Sequence, residues 1–343
     1  MANSRVTVVT VVYGDRWNLL RQVADAVLTD PKVSVFVIVD NGCTDPDAMD
    51  VYASAHGKRV VILRQRENIG YSGAIRQGLE FARTTDCDRV LVLDDDSVPE
   101  PGAIDLFYEN LKFFPEPEKV ILAGNRIDVA DNAKVFNRLP PKDLMPKGTL
   151  FEVFSFSKFL SLIRLLLRVP KPARAPYLPM VPLTALVTGG SFIPIEAIRT
   201  TELPDPSFFI YGEDLEFSWR MRRKGYDCYV CARPIIRDID LTFTNEGDHI
   251  FDLFKPGFRE YKVYFRIRNA VIISRRNTTQ AAPVLLLNVL VWTAGLLGIG
   301  LVSRGPSKTF FSRARVILRA VRDGYGSDRT PPRFIEIPGR KPI

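Results

Sequence analysis

The chain has 343 residues, 46% of them hydrophobic and 25% charged, with a formal net charge of +8. This is ordinary globular composition, with enough apolar material for one large domain and an appendage, or for two domains. Four cysteines (Cys43, Cys87, Cys228 and Cys231) exclude a disulfide framework in a chain of this length and fit a reducing cytosol. The apolar run 6–12 is too short for a secretory signal and lacks a small-residue cleavage site.

From the start of the chain, strand and helix patterns alternate. Residues 6–12 form a continuous β-branched apolar run, as in a strand buried on both faces. Helical spacing follows at 17–28, a second strand at 33–39, a helix at 48–55 and a third strand at 59–63. A helix at 72–83, a strand at 89–93, a helix at 103–113 and a strand at 120–123 continue the pattern. Such alternation predicts a mostly parallel sheet with helices on both faces, which binds ligands at the carboxyl ends of its strands. The Pro-rich stretch 128–182 is less regular, with one amphipathic segment at 151–168. A second αβ region spans 185–194, a helix at 214–224 and a strand at 226–232. Cys228 and Cys231 fall in that last strand without a second pair, and read as packing residues rather than zinc ligands. A helix is expected at 260–275, then 21 uncharged residues at 282–302 and a basic amphipathic helix at 307–322.

The residues just after the strands carry the chemistry. Asp40-Asn41-Gly42 ends the second strand. A carboxylate there can accept from a nucleobase or ribose, or it can simply close an Asx turn. Segment 68–78 places Asn68, Gly70, Gly73, Arg76 and Gly78 at a helix start, where backbone N–H groups can approach phosphate or ribose. Asp94-Asp95-Asp96 follows a buried apolar strand. Three successive acids repel one another unless they are solvated, capping or bound to a cation, and their oxygens suit Mg²⁺ or Mn²⁺ bridging a diphosphate. Gly189-Gly190-Ser191 and Glu213-Asp214, with Trp219 behind, form a second constellation. Acids at a helix start either cap it or accept a proton from a sugar hydroxyl.

In this order the motifs resemble glycosyltransferase family 2, inverting enzymes of the GT-A fold. The resemblance covers 6–276 and includes Tyr264-Phe265-Arg266-Ile267-Arg268-Asn269. It is strongest to bacterial rhamnosyl- and galactofuranosyltransferases of surface polysaccharide assembly. It implies a UDP- or dTDP-sugar donor and a lipid-linked or polysaccharide hydroxyl as acceptor. The nucleotide sugar would meet Thr10, Val12, Tyr13, Asp40, Asn68, Gly73, Arg76, Asp94 and Asp95. Mg²⁺ or Mn²⁺ would sit on Asp94 and Asp96. The family's usual metal histidine is missing from its place, where Asp238 stands, and His249 comes later; either could complete the metal site. Asp214 would be the catalytic base, with Gly190, Glu213 and Trp219 toward the acceptor. A nucleotidyltransferase is disfavoured, because the first strand lacks a Gly-rich triphosphate loop. A non-catalytic nucleotide-sugar-binding module would not need both acid groups.

The expected division is a catalytic domain over 1–255 and a membrane-associated helical region over 256–343. Residues 282–302 are long enough to span a bilayer, to lie in its interface or to form a core helix. The next helix places Phe310, Phe311, Ala314, Ile317, Leu318 and Val321 on an apolar side, and Lys308, Arg313, Arg315, Arg319 and Arg322 on a charged one. That pattern suits an anionic lipid surface better than nucleic acid, since no aromatic stacking platform accompanies the charge. The expected location is the cytoplasmic face of the cell membrane, peripheral or with one C-terminal membrane helix.

Overall fold

The computed structural model describes residues 4–127, 179–183, 185–186, 188–240, 253–254, 259–277 and 281–326. Segment 151–168 and His249 lie outside the described residues.

Among the described residues a nine-stranded sheet has the order β3-β2-β1-β4-β8-β6-β9-β5, with β7 paired to β9. Strands β1 (Val6–Gly14), β2 (Val33–Cys43), β3 (Val60–Arg64) and β4 (Arg89–Asp94) are mutually parallel. They are joined by helices α1 (Trp17–Leu28), α2 (Pro46–His56) and α3 (Gly70–Ala82). The other half holds β5 (Ser97–Pro99), β6 (Val120–Arg126), β7 (Met180–Leu183), β8 (Ser191–Pro194) and β9 (Asp227–Asp238), where only β6 and β9 pair in parallel. Parallel pairing thus dominates the N-terminal half, and antiparallel pairing closes the sheet beyond β4.

The alternation along β1 explains the layers. Val9 and Val11 face Ala74, Ile75 and Leu79 of α3, together with Phe217 and Met221 of α6 (Glu213–Arg223). Val8 and Val12 face Leu20 and Val23 of α1, and Ile104 and Phe107 of α4 (Ala103–Leu111). One strand thereby supplies both cores. Helix α5 (Ile195–Thr200) covers the α3 side. Cys228 and Cys231 are buried free thiols in β9.

Strand β9 is longer than expected. Pro234 removes a ladder donor and would normally end a strand. Here the register slips opposite it, between Ala123 and Asn125 of β6, and pairing resumes at Ile235. The extension delivers Asp238 to the sheet edge where β4 ends.

Toward the C-terminus the described residues form the helices α7 (Glu260–Asn277), α8 (Ala282–Arg304) and α9 (Lys308–Tyr325). Tyr264, Phe265, Leu296, Val316 and Ile317 share a core with Phe209 from the segment before α6. The apolar side of α9 divides: Phe310 and Ile317 are buried, whereas Phe311 and Leu318 are exposed. Arg313, expected on the charged side, is buried.

Candidate active site

The acid triplet ends β4 as expected, but its oxygens are already engaged by arginines. Arg16, at the start of α1, donates through Nε to Asp95 Oδ2 at 2.7 Å and through Nη2 to Asp96 Oδ2 at 3.0 Å. Its Nη1 reaches Asp240 Oδ2 at 2.6 Å. Arg126, at the end of β6, pairs with Asp94 at 3.0 Å and Asp238 at 2.8 Å. Asp238 also accepts from Ser97 Oγ at 2.8 Å. Among the described residues, two guanidinium groups therefore serve five carboxylates. Burial, reinforced by Asp95 and Asp94, pushes Asp96 up to about 7. Burial also pushes Asp95 up to about 6, against the opposing pull of Arg16.

This surplus of hard anionic oxygen suits a divalent cation. Among the described residues no three His, Cys, Asp or Glu side chains converge as a ready-made cage. Carboxylate oxygens of this kind could serve such a cation alongside other oxygen ligands.

Gly189 lets the chain pass close to this cluster. A Cβ there would lie 2.5 Å from Asp94 Oδ2 and 2.8 Å from Arg126 Nη1. Gly190 N–H donates to Val92 O at 2.7 Å, which ties the passing chain to β4.

On the nucleotide side, Asp40 is buried. Its Oδ1 accepts from the N–H groups of Gly42 and Cys43 at 3.1 and 2.8 Å, and its Oδ2 accepts from Arg64 Nε at 3.0 Å. The Asx turn that the sequence allowed is therefore formed. Asn41 and Asn68 interlock at 3.0 Å, and Asn68 Oδ1 accepts from Gly70 N–H at 2.8 Å to open α3. Thr10 and Val12 have fully buried side chains, while Tyr13 is exposed at the rim. Gly73 packs against Ile69. Arg76 is turned to Glu80 and to the carbonyl of Pro204.

Opposite the triplet, Glu213 and Asp214 open α6. Glu213 is buried, and its Oε2 has no partner among the described residues. Burial, then the adjacent Asp214 charge, holds Glu213 well above the usual carboxylate range. Burial pushes Asp214 up to about 6, with the field of Asp94 adding and the Leu215 N–H opposing. Trp219 packs beside Phe208, Ile272 and Ile273.

Tyr71 and Thr188, which the sequence reading passed over, lie between the two acid groups. Their hydroxyls are 3.2 Å apart. Burial holds the Tyr71 phenol neutral, and the charges of Asp94, Glu213 and Asp214 add to this. Arg16 and Arg126 were also missed as partners, because most of the acids they meet lie 79 to 224 positions away.

Two acid clusters, each partly buried, face each other across the carboxyl edge of a sheet that is parallel through β1–β4 and mixed beyond β4. That is a GT-A-like fold, and solved structures share it. GalNAc-T7, crystallised with UDP, GalNAc and Mn²⁺, is 15% identical with a TM-score of 0.50; the match covers 81% of this chain and 52% of that one. The present chain thus matches about half the length of that protein. The mannosyltransferase PcManGT from Pyrobaculum calidifontis, in complex with GDP-Man and Mn²⁺, is 14% identical with a TM-score of 0.53, covering 94% of this chain and 88% of that one. No curated protein matches the chain. The family model "Glycosyltransferase like family 2" matches residues 3–262, and the chain belongs to that family.

Proposed function

We propose that the protein is an inverting glycosyltransferase that moves a sugar from a nucleoside-diphosphate donor to a hydroxyl of a lipid-linked or polysaccharide acceptor. The observation that carries this reading is the pair of facing acid clusters, one rich in oxygen ligands and the other holding a carboxylate tuned near neutrality. The nucleotide lies against the ends of β1 and β2, near Tyr13, Asp40 and Asn68. Asp94 and Asp96 would hold Mg²⁺ or Mn²⁺, which when bound neutralises charge on the departing diphosphate.

The acceptor hydroxyl oxygen attacks C1 of the donor sugar from the face opposite the diphosphate. The C1–O bond to diphosphate breaks, and the hydroxyl proton passes to Asp214. A carboxylate pushed up to about 6 is ionised at neutral pH yet basic enough to assist, by roughly 10²–10⁴-fold. Glu213, whose carboxyl burial and the neighbouring Asp214 charge hold well above the usual carboxylate range, is left to contact the acceptor or orient its neighbour. Tyr71, bonded to Thr188, lies within the electrostatic reach of both clusters.

The C-terminal region, 256–343, is read as a membrane-docking layer at the cytoplasmic face. Helix α8 is 23 residues long and has a mean hydropathy of 2.2 over its most apolar stretch. Its inner stripe (Leu285, Asn288, Val289, Thr293, Leu296 and Gly300) is buried along most of its length. Its outer face leaves Leu287 at 55% and Val302 at 90% exposure. A helix packed against the protein along one stripe, beside the basic α9, suits the lipid interface better than a bilayer crossing. On α9, Phe311, Arg315, Leu318 and Arg322 are exposed at helical spacing, an apolar-and-cationic stripe matched to anionic lipid.

The test is a screen of UDP-, dTDP- and GDP-sugars for release of nucleoside diphosphate, followed by determination of the product's anomeric configuration. Release from one donor class that Asp214→Asn abolishes, with inversion at C1, is the expected result. Retention of configuration, or undiminished transfer by Asp214→Asn, overturns the reading.

A further inference from the structure

The segment that leads into α6 is strained. Phe209 has φ 60° and ψ −62°, and the Ile210 N–H donates to the Phe208 carbonyl at 2.7 Å. That is a γ-turn of the rare, positive-φ hand. Tyr211 follows at φ 69° and Gly212 at φ 83°, immediately before Glu213 and Asp214. Two non-glycine residues with positive φ within three positions persist only where their surroundings force them.

The forcing group is on α7. Asn269 Nδ2 lies 2.9, 2.8 and 2.8 Å from the carbonyl oxygens of Phe208, Ile210 and Tyr211. The orientation of that amide is not free. Arg268, which can only donate, gives N–H bonds from Nε and Nη2 to Asn269 Oδ1 at 3.0 and 2.8 Å, so Nδ2 must face the turn. Arg268 Nη2 also donates to the Ser207 carbonyl. Both side chains are completely buried. The Arg268 guanidinium lies over the Phe265 ring, 4.9 Å from its centroid, and Phe265 stacks on Phe209. Helix α7 also presses directly on Gly212, where a Cβ would meet Ile273 Cδ1 at 2.6 Å.

The far side of the turn touches the nucleotide half. Ser72 N–H donates to the Phe209 carbonyl at 3.0 Å, and a Cβ on Gly70 would lie 2.5 Å from that same oxygen. The turn is therefore wedged between the start of α3 and the middle of α7.

We propose that Arg268 and Asn269 are positioning residues for the chemical step. They hold the strained 208–212 turn and thereby set the entry of α6, which aims Asp214 at the acceptor hydroxyl. This deepens the base assignment and rests on it. Both side chains are fully buried and act through the turn rather than on substrate. Their removal lets the turn relax and α6 rotate, which lowers turnover while the nucleotide site beyond α3 stays formed.

The discriminating variant is Asn269→Asp. It keeps the size of the side chain but presents carboxylate oxygen to three carbonyl oxygens. With the donor class found by the screen above, kcat is expected to fall about 100-fold. Affinity for UDP with Mn²⁺, measured by calorimetry, is expected to stay within about threefold, and the acid limb of the kcat–pH profile to move. Arg268→Lys keeps the charge but loses the forked hold, and serves if Asn269→Asp fails to fold. Its expected loss is about tenfold in kcat with nucleotide affinity kept. A kcat within twofold of wild type for the folded variant overturns the inference. So does a parallel loss of nucleotide affinity and melting temperature with an unmoved pH profile, which marks a purely structural role. Asp214→Asn in the same assay separates the two levels. If it remains active, the base assignment has failed; if it is dead while Asn269→Asp is fully active, only the positioning role has.

Discussion

Gly189→Ala tests whether Asp94 belongs to the reacting site without removing any polar group. The added methyl would sit 2.5 Å from Asp94 Oδ2, 2.8 Å from Arg126 Nη1 and 2.9 Å from Asp94 Cγ. Ordinary contact begins near 3.4 Å, so the carboxylate must retreat by about 0.9 Å. The obstructing atoms include side-chain ends that can swing, and Gly189 is not among the positive-φ glycines, so the backbone carries no added strain. The fold should therefore lose no more than ~1 kcal/mol, a fall of about 2–4 °C in melting temperature. The chemistry should lose more. A displacement near 1 Å at a reacting centre costs about 10²-fold, or ~2.7 kcal/mol of barrier. The assay is kcat/KM for nucleoside-diphosphate release, with thermal denaturation in parallel. A kcat/KM within threefold of wild type at an unchanged melting temperature would refute the argument that Asp94 works from the position seen here.

The pH dependence follows from Asp214. Its raised pKa means that kcat should fall through about 6 as pH drops, and that Asp214→Asn should remove this limb along with transfer. For stability the sign is the reverse of a salt-bridged carboxylate. The native state binds the proton more tightly than the unfolded chain does, so ionised Asp214 opposes folding above about pH 4. Asp214→Asn should therefore melt higher than wild type at pH 7, with the difference gone by pH 4; an equal gain at both pH values argues against burial as the cause. At Gly78 a Cβ would lie 2.4 Å from Val9 Cγ1 and 3.0 Å from Val39 Cγ2. Gly78→Ala should cost about 1–3 kcal/mol in urea unfolding from overpacking of α3 on β1, and a neutral result would show that the helix has room to move. Joint substitution Leu287→Asp and Val302→Asp on the outer face of α8 should cut binding to anionic vesicles at least tenfold with the melting temperature kept. Undiminished co-sedimentation would move the lipid contact elsewhere.

The parallel strands β1 to β4, their order along the chain and the acids at their ends were legible in the sequence, because each is written in local periodicity, whereas the short strands β5 and β7 were not. A strand buried on both faces must read as a continuous apolar run, as residues 6–12 do, and a carboxylate directly after such a run falls at the sheet edge. Asp40 and the Asp94–Asp96 triplet were found in this way; the Glu213-Asp214 pair was marked only as acids at a helix start, and its catalytic role came with the family resemblance. The alternating pattern could not show which partners those acids take. Arg16 meets Asp95 across 79 positions, and Arg126 meets Asp238 across 112, the latter only because β9 continues past Pro234 through a register slip. Local spacing reports how one element is buried, whereas register and loop closure decide which side chains meet. The same limit hid the role of Arg268 and Asn269. Their motif could be seen as a motif, but the turn they grip lies about 60 positions earlier, and its positive-φ residues, Phe209 and Tyr211, carry no glycine to announce them. Helix α8 was ambiguous for a further reason. It is apolar all round, so periodicity carries no information about which face packs inward; only the positions of α7 and α9 decide that Leu285, Val289 and Leu296 are buried while Leu287 and Val302 face outward.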